Sequence, residues 1–299
     1  MSLTIFVLCY NRPDLAKLTI QSIVQQSCQN FRLIVSDHST NHEVEAMVKG
    51  DFPSISYIKR STSLKHLEHF NACIEEVQTD YYCLFHDDDV MAPNFVETML
   101  KFIGAHPTAA AYACNAFIET NGRVEPRLSF ISKNEYELIS SPRDLAERYF
   151  SHNQSGIAPN PSYIYSHLLS GDKLFIVNGG KYADVALLLD ILRAGSIFWV
   201  NEPLMTYRMH GNNIGSVESM PDRLHFLGYL KKHRQEFGNA LLRDYRYSFI
   251  HKKILNSDWR LRSKRFRVVK KFLSTYQIYR YSRFSTYKSL LKRALIKWA

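Results

Sequence analysis

The chain reads as an α/β protein, a mostly parallel central sheet flanked by helices, followed by a basic and mainly helical C-terminal extension. Three observations carry that reading. Over the first two hundred residues, apolar runs of strand length alternate with segments of helical spacing, which means right-handed crossovers onto parallel neighbours. The strand-like runs are continuously apolar, as in a sheet covered on both faces. The charge then changes abruptly: residues 1–220 hold 17 Lys and Arg against 24 Asp and Glu, a net of −7, while residues 221–299 hold 21 against 4, a net of +17.

Residues 3–9 (LTIFVLC) form the first strand, ended by Tyr10, Asn11, Arg12 and Pro13. Asp14 is placed to cap a helix in which Leu15, Leu18, Ile23 and Val24 recur near helical spacing. Residues 31–36 make a second strand, followed by a short helix at 44–48, a strand at 55–58, a helix at 64–77 and a strand at 81–85. Beyond an acidic loop come a helix at 95–103 and a small-residue strand at 109–118 that ends at Asn121 and Gly122. Residues 123–180 offer no clear period. A helix at 185–192, a strand at 196–200 and an extended segment at 204–209 close the acidic part. From Pro221 the composition turns to Tyr, Phe, Leu, Arg and Lys with few turn residues, which reads as several helices. The division expected is therefore a catalytic domain over 1–215 and a basic region over 216–299.

At 299 residues the chain has room for a large domain with an appendage. Its five cysteines make no Cys-x-x-Cys pair, and Cys9, Cys83 and Cys114 lie in strand-like runs. Buried thiols in a reduced, cytoplasmic protein are expected, with no zinc site. Asn11, Arg12 and Asp14 interrupt the first apolar run, so no signal segment is expected there. The most apolar stretch, 185–200, is cut by Asp190 and Arg193 and is too short to span a bilayer.

Asp87, Asp88 and Asp89 follow the apolar run 81–85 and His86. Three carboxylates at the end of a buried strand repel one another and resist desolvation, so they need a cation or a strong donor network to stay ionised. Mg2+ or Mn2+ is the simplest cation, and such ions complete their shell with water and phosphate oxygens. A nucleotide diphosphate is the matching ligand. One aspartate would suffice as a cap for the helix near Pro93, where Asn94 is also available.

Taken in order, the segments 9–13 (CYNRP), 31–40 (FRLIVSDHST), 87–89 with Pro93, 182–184 (YAD) and 202–210 (EPLMTYRMH) resemble the family 2 inverting glycosyltransferases of the GT-A fold. The resemblance covers residues 3–215 and stops short of the basic region. It implies an enzyme that moves a hexosyl or related sugar from a nucleotide-diphosphate donor to a saccharide or lipid-linked acceptor, in bacterial surface polysaccharide synthesis of the O-antigen or capsule type. By the same resemblance Tyr10 faces the nucleobase and Asp37 accepts from a base N–H, with Asn11, Arg12, Lys65 and Asn71 on the nucleotide side. Counting back from Pro93 puts His86 where the family's first acid stands, Asp88 on the metal-binding acid and Asp89 next to it. His86 or Asp87 then faces the ribose or diphosphate. Asp184, at the start of the 185–192 helix, takes the place of the catalytic base, with Asp172 and Asp190 as weaker alternatives. Arg208 and His210, followed by Gly211, Asn212 and Asn213, are expected at the diphosphate, His210 also near the metal.

The net of +17 after residue 220 calls for an anionic partner. An anionic bilayer attracts each Lys or Arg near its surface by about 1 kcal/mol, so half a dozen supply about 6 kcal/mol, enough for reversible docking at the inner face of the plasma membrane. A basic module binding nucleic acid beside a non-catalytic scaffold is the alternative from another class, and it leaves the three aspartates without a purpose. Nucleotidyl transfer would want a glycine-rich loop after the first strand, and residues 10–15 contain no glycine.

Overall fold

The computed structural model describes residues 1–150, 156–171, 173–176, 180–210 and 220–246. The first half alternates as its hydrophobic pattern dictates: β1 (Leu3–Cys9), α1 (Pro13–Val24), β2 (Arg32–Asp37), α2 (Glu43–Asp51), β3 (Ser56–Lys59), α3 (His66–Glu75) and β4 (Tyr81–His86). Then come β5 (Val90–Met91), α4 (Phe95–Ala105), β6 (Ala111–Thr120), β7 (Arg123–Leu128), β8 (Tyr136–Ile139), α5 (Pro142–Phe150), β9 (Ile164–Ser166), α6 (His167–Ser170), α7 (Ala183–Ile191), β10 (Ile197–Met209), α8 (Met220–Lys232) and α9 (Arg234–Tyr245).

Among the described residues the strands join in the order β3-β2-β1-β4-β9-β6-β10-β5, with β7 added on β6 and β8 on β10. β1 runs parallel to β2 and β4, and β2 to β3. Their carboxyl ends therefore open on one edge, where ligands of such sheets bind. Successive side chains of β1 feed opposite cores: Ile5 and Val7 pack with Ile20, Phe85 and Met99, whereas Phe6 and Leu8 pack with Phe70, Leu84 and Trp199. A strand buried on both faces cannot alternate in polarity, which is why residues 3–9 are apolar throughout. Cys9, Cys73, Cys83 and Cys114 are buried free thiols.

Three expectations are refined. Pro13, not Asp14, opens α1, because its fixed φ and missing N–H suit the first helical position, and Asp14 lies within the first turn. The segments 196–200 and 204–209 are one strand, β10, whose register against β6 shifts around Pro203, a residue unable to donate to the ladder. The unreadable stretch 123–180 contains β7, β8, α5 and the three-residue β9, which runs antiparallel between β4 and β6. So short a strand has no period to read.

Residues 220–245 pack into the same core as the α/β part: Phe226, Leu230, Phe237, Leu241 and Tyr245 are buried in a cluster with Phe150 and Tyr182. Each such side chain contributes about 1.5–3 kcal/mol by leaving water. The basic region expected from residue 216 thus begins as part of the folded unit. Residues 247–299, with 15 Lys and Arg against one Asp, lie outside the described residues. No helix among the described residues is long and apolar enough to cross a membrane.

Candidate active site

Two loops at the carboxyl ends of β1 and β2 are sewn together by Asn11. Its φ of 53° lies in the left-handed region, which asparagine tolerates better than most residues. Its N–H donates to Ser39 Oγ (2.7 Å), and its side-chain oxygen accepts from the Thr40 N–H (2.9 Å).

Arg12 reaches across to the acidic loop after β4. Its guanidinium bridges Asp87 Oδ1 and Asp88 Oδ2, the latter at 2.6 Å. Asp87 also accepts from the Tyr10 N–H (2.9 Å), and Asp88 Oδ2 meets His210 Nε2 at 3.2 Å. Burial pushes the Asp87 carboxyl up to about 7 against the pull of Arg12. Burial also pushes Asp88 upward, but His86, Arg12 and His210 outweigh it and hold that carboxyl below its ordinary value. Asp89 is fully buried; desolvation and the neighbouring Asp88 raise it well above the ordinary range. One of its oxygens accepts the Arg208 N–H (2.9 Å), and the other has no hydrogen-bond partner among the described residues.

A buried carboxylate oxygen without a donor is costly unless a cation completes it. His86, Asp88 and Asp89 each place a donor atom within 4.8 Å of the others. Two carboxylates and one imidazole suit a hard or borderline divalent ion such as Mg2+ or Mn2+, so the residues present fit the expected metal, with His210 beside Asp88. Of the two cap candidates it is Asn94 that occupies the cap position of α4, so Asp89 is not its cap.

Beneath the loop Thr19, wholly buried on α1, brings its hydroxyl to the carbonyls of Asp89 (2.6 Å) and Asp87 (2.9 Å). Arg208 is also buried there: its guanidinium donates to the Asp88 carbonyl and lies 3.4 Å from the Thr19 hydroxyl. The expected diphosphate contact of Arg208 is corrected accordingly, since β10 turns the side chain under the acidic loop rather than into the opening. Thr19→Val should cost about 1–3 kcal/mol in denaturant unfolding, because it leaves buried carbonyls without a donor, and Thr19→Ser should recover most of it.

The opening itself is a cleft of about 950 Å³. Tyr10, His38, Lys65, His66, Tyr149, Lys181, Tyr182 and Asp184 line it, with Arg12 and Asp88 also on its wall. Tyr10 stacks on His38 with centroids 4.5 Å apart, and His38 on His69 at 4.3 Å. Burial pushes His69 down to about 3 and lowers His38 and His86, which leaves the stacked rings of His38 and His69 neutral near pH 7. Of these histidines the motif spacing singled out only His86. His66 and His69, three apart on one helix face, were the available signal.

Two further nucleotide-side expectations are corrected. Asp37 is fully buried: it accepts from Tyr57 OH (2.7 Å), Lys59 Nζ (2.9 Å) and the Ser39 N–H (2.8 Å), so it shapes the loop after β2 and offers no open acceptor to a base. Asn71 exchanges two hydrogen bonds with the backbone of Phe175 and is a clamp on that segment. Lys65 remains on the cleft wall, just before α3, where its N–H is taken by Glu68 Oε2 (2.8 Å).

Asp184 lies in the first turn of α7 and not at its cap, which is Tyr182. Its Oδ1 accepts the Val185 N–H (2.8 Å), and desolvation pushes its carboxyl up to about 6. That is a carboxylate still ionised at neutral pH yet more basic than usual, the property a proton acceptor needs. Asp190, one weaker alternative, is engaged by Arg193 and Tyr229 OH away from the cleft. Asp172 and residues 211–213 lie outside the described residues.

Comparison with known proteins bears on the family and the fold. Residues 4–163 match the family model of glycosyl transferase family 2. Over 135 residues the chain is 29% identical to the teichoic acid poly(glycerol phosphate) polymerase of Staphylococcus epidermidis, a match covering 44% of this chain and 17% of that much longer protein. An uncharacterised glycosyltransferase of Haemophilus influenzae is 24% identical over 224 residues, 72% of this chain and 67% of the relative. Among solved structures, S. aureus TarS 1–349 in complex with UDP-GlcNAc superposes with a TM-score of 0.65 at 14% identity, covering 92% of this chain and 81% of that one. The mannosyltransferase PcManGT from Pyrobaculum calidifontis, in complex with GDP-Man and Mn2+, gives 0.58 at 11% identity, covering 99% and 80%. At such identities the structural likeness speaks for the fold, and the family match covers more than half of the sequence. The chain is a glycosyltransferase of family 2, built on the GT-A fold.

Proposed function

We propose that this enzyme is an inverting, metal-dependent glycosyltransferase that moves a sugar from a nucleotide-diphosphate donor to a saccharide or lipid-linked acceptor during assembly of a cell-surface glycan. The observation that carries the reading is that Asp88 and Asp184, from distant parts of the chain, both line one cleft. Tyr10, backed by His38, offers the nucleoside a flat face, and Lys65 and Arg12 supply positive charge for the diphosphate. Asp184 takes the proton of the acceptor hydroxyl as its oxygen bonds to the anomeric carbon from the side opposite the nucleotide. The bond from that carbon to the diphosphate oxygen breaks, the electron pair leaves with the nucleotide, and the anomeric centre inverts. A divalent ion held by Asp88 and Asp89 with His86 or His210 would supply positive charge against the leaving diphosphate, a contribution of several kcal/mol.

The likeness to a teichoic acid polymerase and to TarS supports a surface glycan as the setting, and an O-antigen or capsule-type polymer is the specific reading. The proposed catalytic unit over 1–215 is completed by the packed helices of 220–245. Reversible attachment to the cytoplasmic face of an anionic membrane is assigned to 247–299, where 15 of the Lys and Arg residues lie. Failure of the full chain to co-sediment with phosphatidylglycerol vesicles at low salt would remove that assignment.

A thermal-shift screen with UDP and GDP, each with and without Mn2+, tests the central reading. A nucleotide present at a hundred times its Kd adds about 2.7 kcal/mol of stability. One of the two should raise Tm clearly more with Mn2+ than without, and no shift with any combination would sink the proposal.

A further inference from the structure

Arg12 stands where its charge competes with a metal. Its two terminal nitrogens bind Asp87 and Asp88, and the Asp88 oxygen it holds at 2.6 Å is also the one facing His210. A divalent ion on Asp88 needs that carboxylate, and two cations crowded onto one carboxylate repel. The third guanidinium nitrogen, Nε, is buried and has no hydrogen-bond partner among the described residues. Arg12 nevertheless lines the cleft, as Lys65 does, where an anionic ligand can reach it. Its guanidinium is thus incompletely satisfied while it bridges the two aspartates, and a diphosphate, with several oxygens in fork geometry, can satisfy it more fully.

We propose that Arg12 is the acidic loop's resident counter-ion: it occupies Asp88 in the donor-free enzyme and yields that carboxylate to a divalent cation when a nucleotide diphosphate draws the guanidinium away. Cation and donor then load cooperatively. The protein does not hold a tightly bound metal between turnovers, because the protein itself supplies the competing charge. Asp87 keeps the Tyr10 N–H throughout and so anchors the loop during the exchange. The inference rests on the metal-dependent reading above and adds to it the order in which the site fills.

The test is direct Mn2+ binding, followed by the electron paramagnetic resonance signal of the free ion, with and without UDP or GDP, whichever gives the larger thermal shift. In the wild type the nucleotide should tighten Mn2+ binding at least about tenfold beyond its own affinity for the ion, within the usual range of site coupling. Arg12→Gln should bind Mn2+ alone about tenfold more tightly than the wild type and lose most of the coupling. Arg12→Lys, which keeps the charge but cannot bridge two carboxylates, should fall between them, and circular dichroism of both variants checks that they fold. If Arg12→Gln is poorly folded, the coupling in the wild type decides: its absence overturns the proposal and its presence with an intermediate Arg12→Lys supports it. Equal or weaker Mn2+ affinity in a folded Arg12→Gln, with the ion still bound by the wild type, overturns this inference alone. Absence of Mn2+ binding in every arm overturns it together with the metal-dependent reading.

Discussion

Asp184→Asn is expected to lower turnover by about a thousandfold while leaving donor affinity near that of the wild type and raising the melting temperature by a few degrees. The loss follows from removing the proton acceptor, since a positioned general base is worth about 10²–10⁴ in rate. The gain follows from the same burial that makes Asp184 basic. Its carboxyl titrates at about 6 in the folded protein, pushed up by desolvation, against about 3.9 in an unfolded chain. The folded state therefore binds that proton more tightly, and the stability it confers is complete below about pH 4 and lost as pH rises through about 6. Asparagine removes that loss, and because the side chain is only half-buried the gain at pH 7 should be about 1–2 kcal/mol, vanishing near pH 4. Wild-type kcat/KM should rise with pH through about 6. Unchanged turnover in Asp184→Asn would remove the base role, and a destabilised variant would remove the electrostatic account.

Asp88→Ala carries the second large effect. It should abolish the Mn2+-dependent part of nucleotide binding, a drop of about a hundredfold or more by calorimetry, because the two remaining candidate ligands on the loop, His86 and Asp89, supply only one carboxylate. Arg12 keeps Asp87 as a partner, so the cleft stays assembled. Metal-independent binding of the nucleoside at Tyr10 should persist. Donor affinity in Mn2+ equal to that of the wild type would show that the ion does not sit on Asp88.

How far a residue's place could be read from the linear chain depended on how local its determinants are. The strands of the first half announce themselves because both faces of the sheet are covered, and a run such as residues 3–9 cannot be polar anywhere. β9 contributes three residues and takes its place only because β4 and β6 leave a gap between them. The acidic loop was conspicuous as charge beside an apolar run, whereas spacing alone left Asp184 as readily a helix cap, and the role expected of it came from the family resemblance. Asp37 and Arg208 sit at the expected positions along the chain, yet Tyr57, Lys59, Thr19 and the acidic loop carbonyls turn them inward.

Hydrophobic period and charge placement, both properties of neighbours along the chain, were enough for the α/β class, the carboxylates at a strand end and the basic character of the last eighty residues. Which groups face the cleft was not contained in them. The Arg12 bridge to Asp87 and Asp88, the ring stack of Tyr10, His38 and His69, and the cleft lined by both Asp88 and Asp184 bring together residues tens to a hundred positions apart. Side-chain direction, burial and the resulting proton affinities arise only when the sheet brings those segments to one edge, because desolvation is a property of the surroundings and not of the residue.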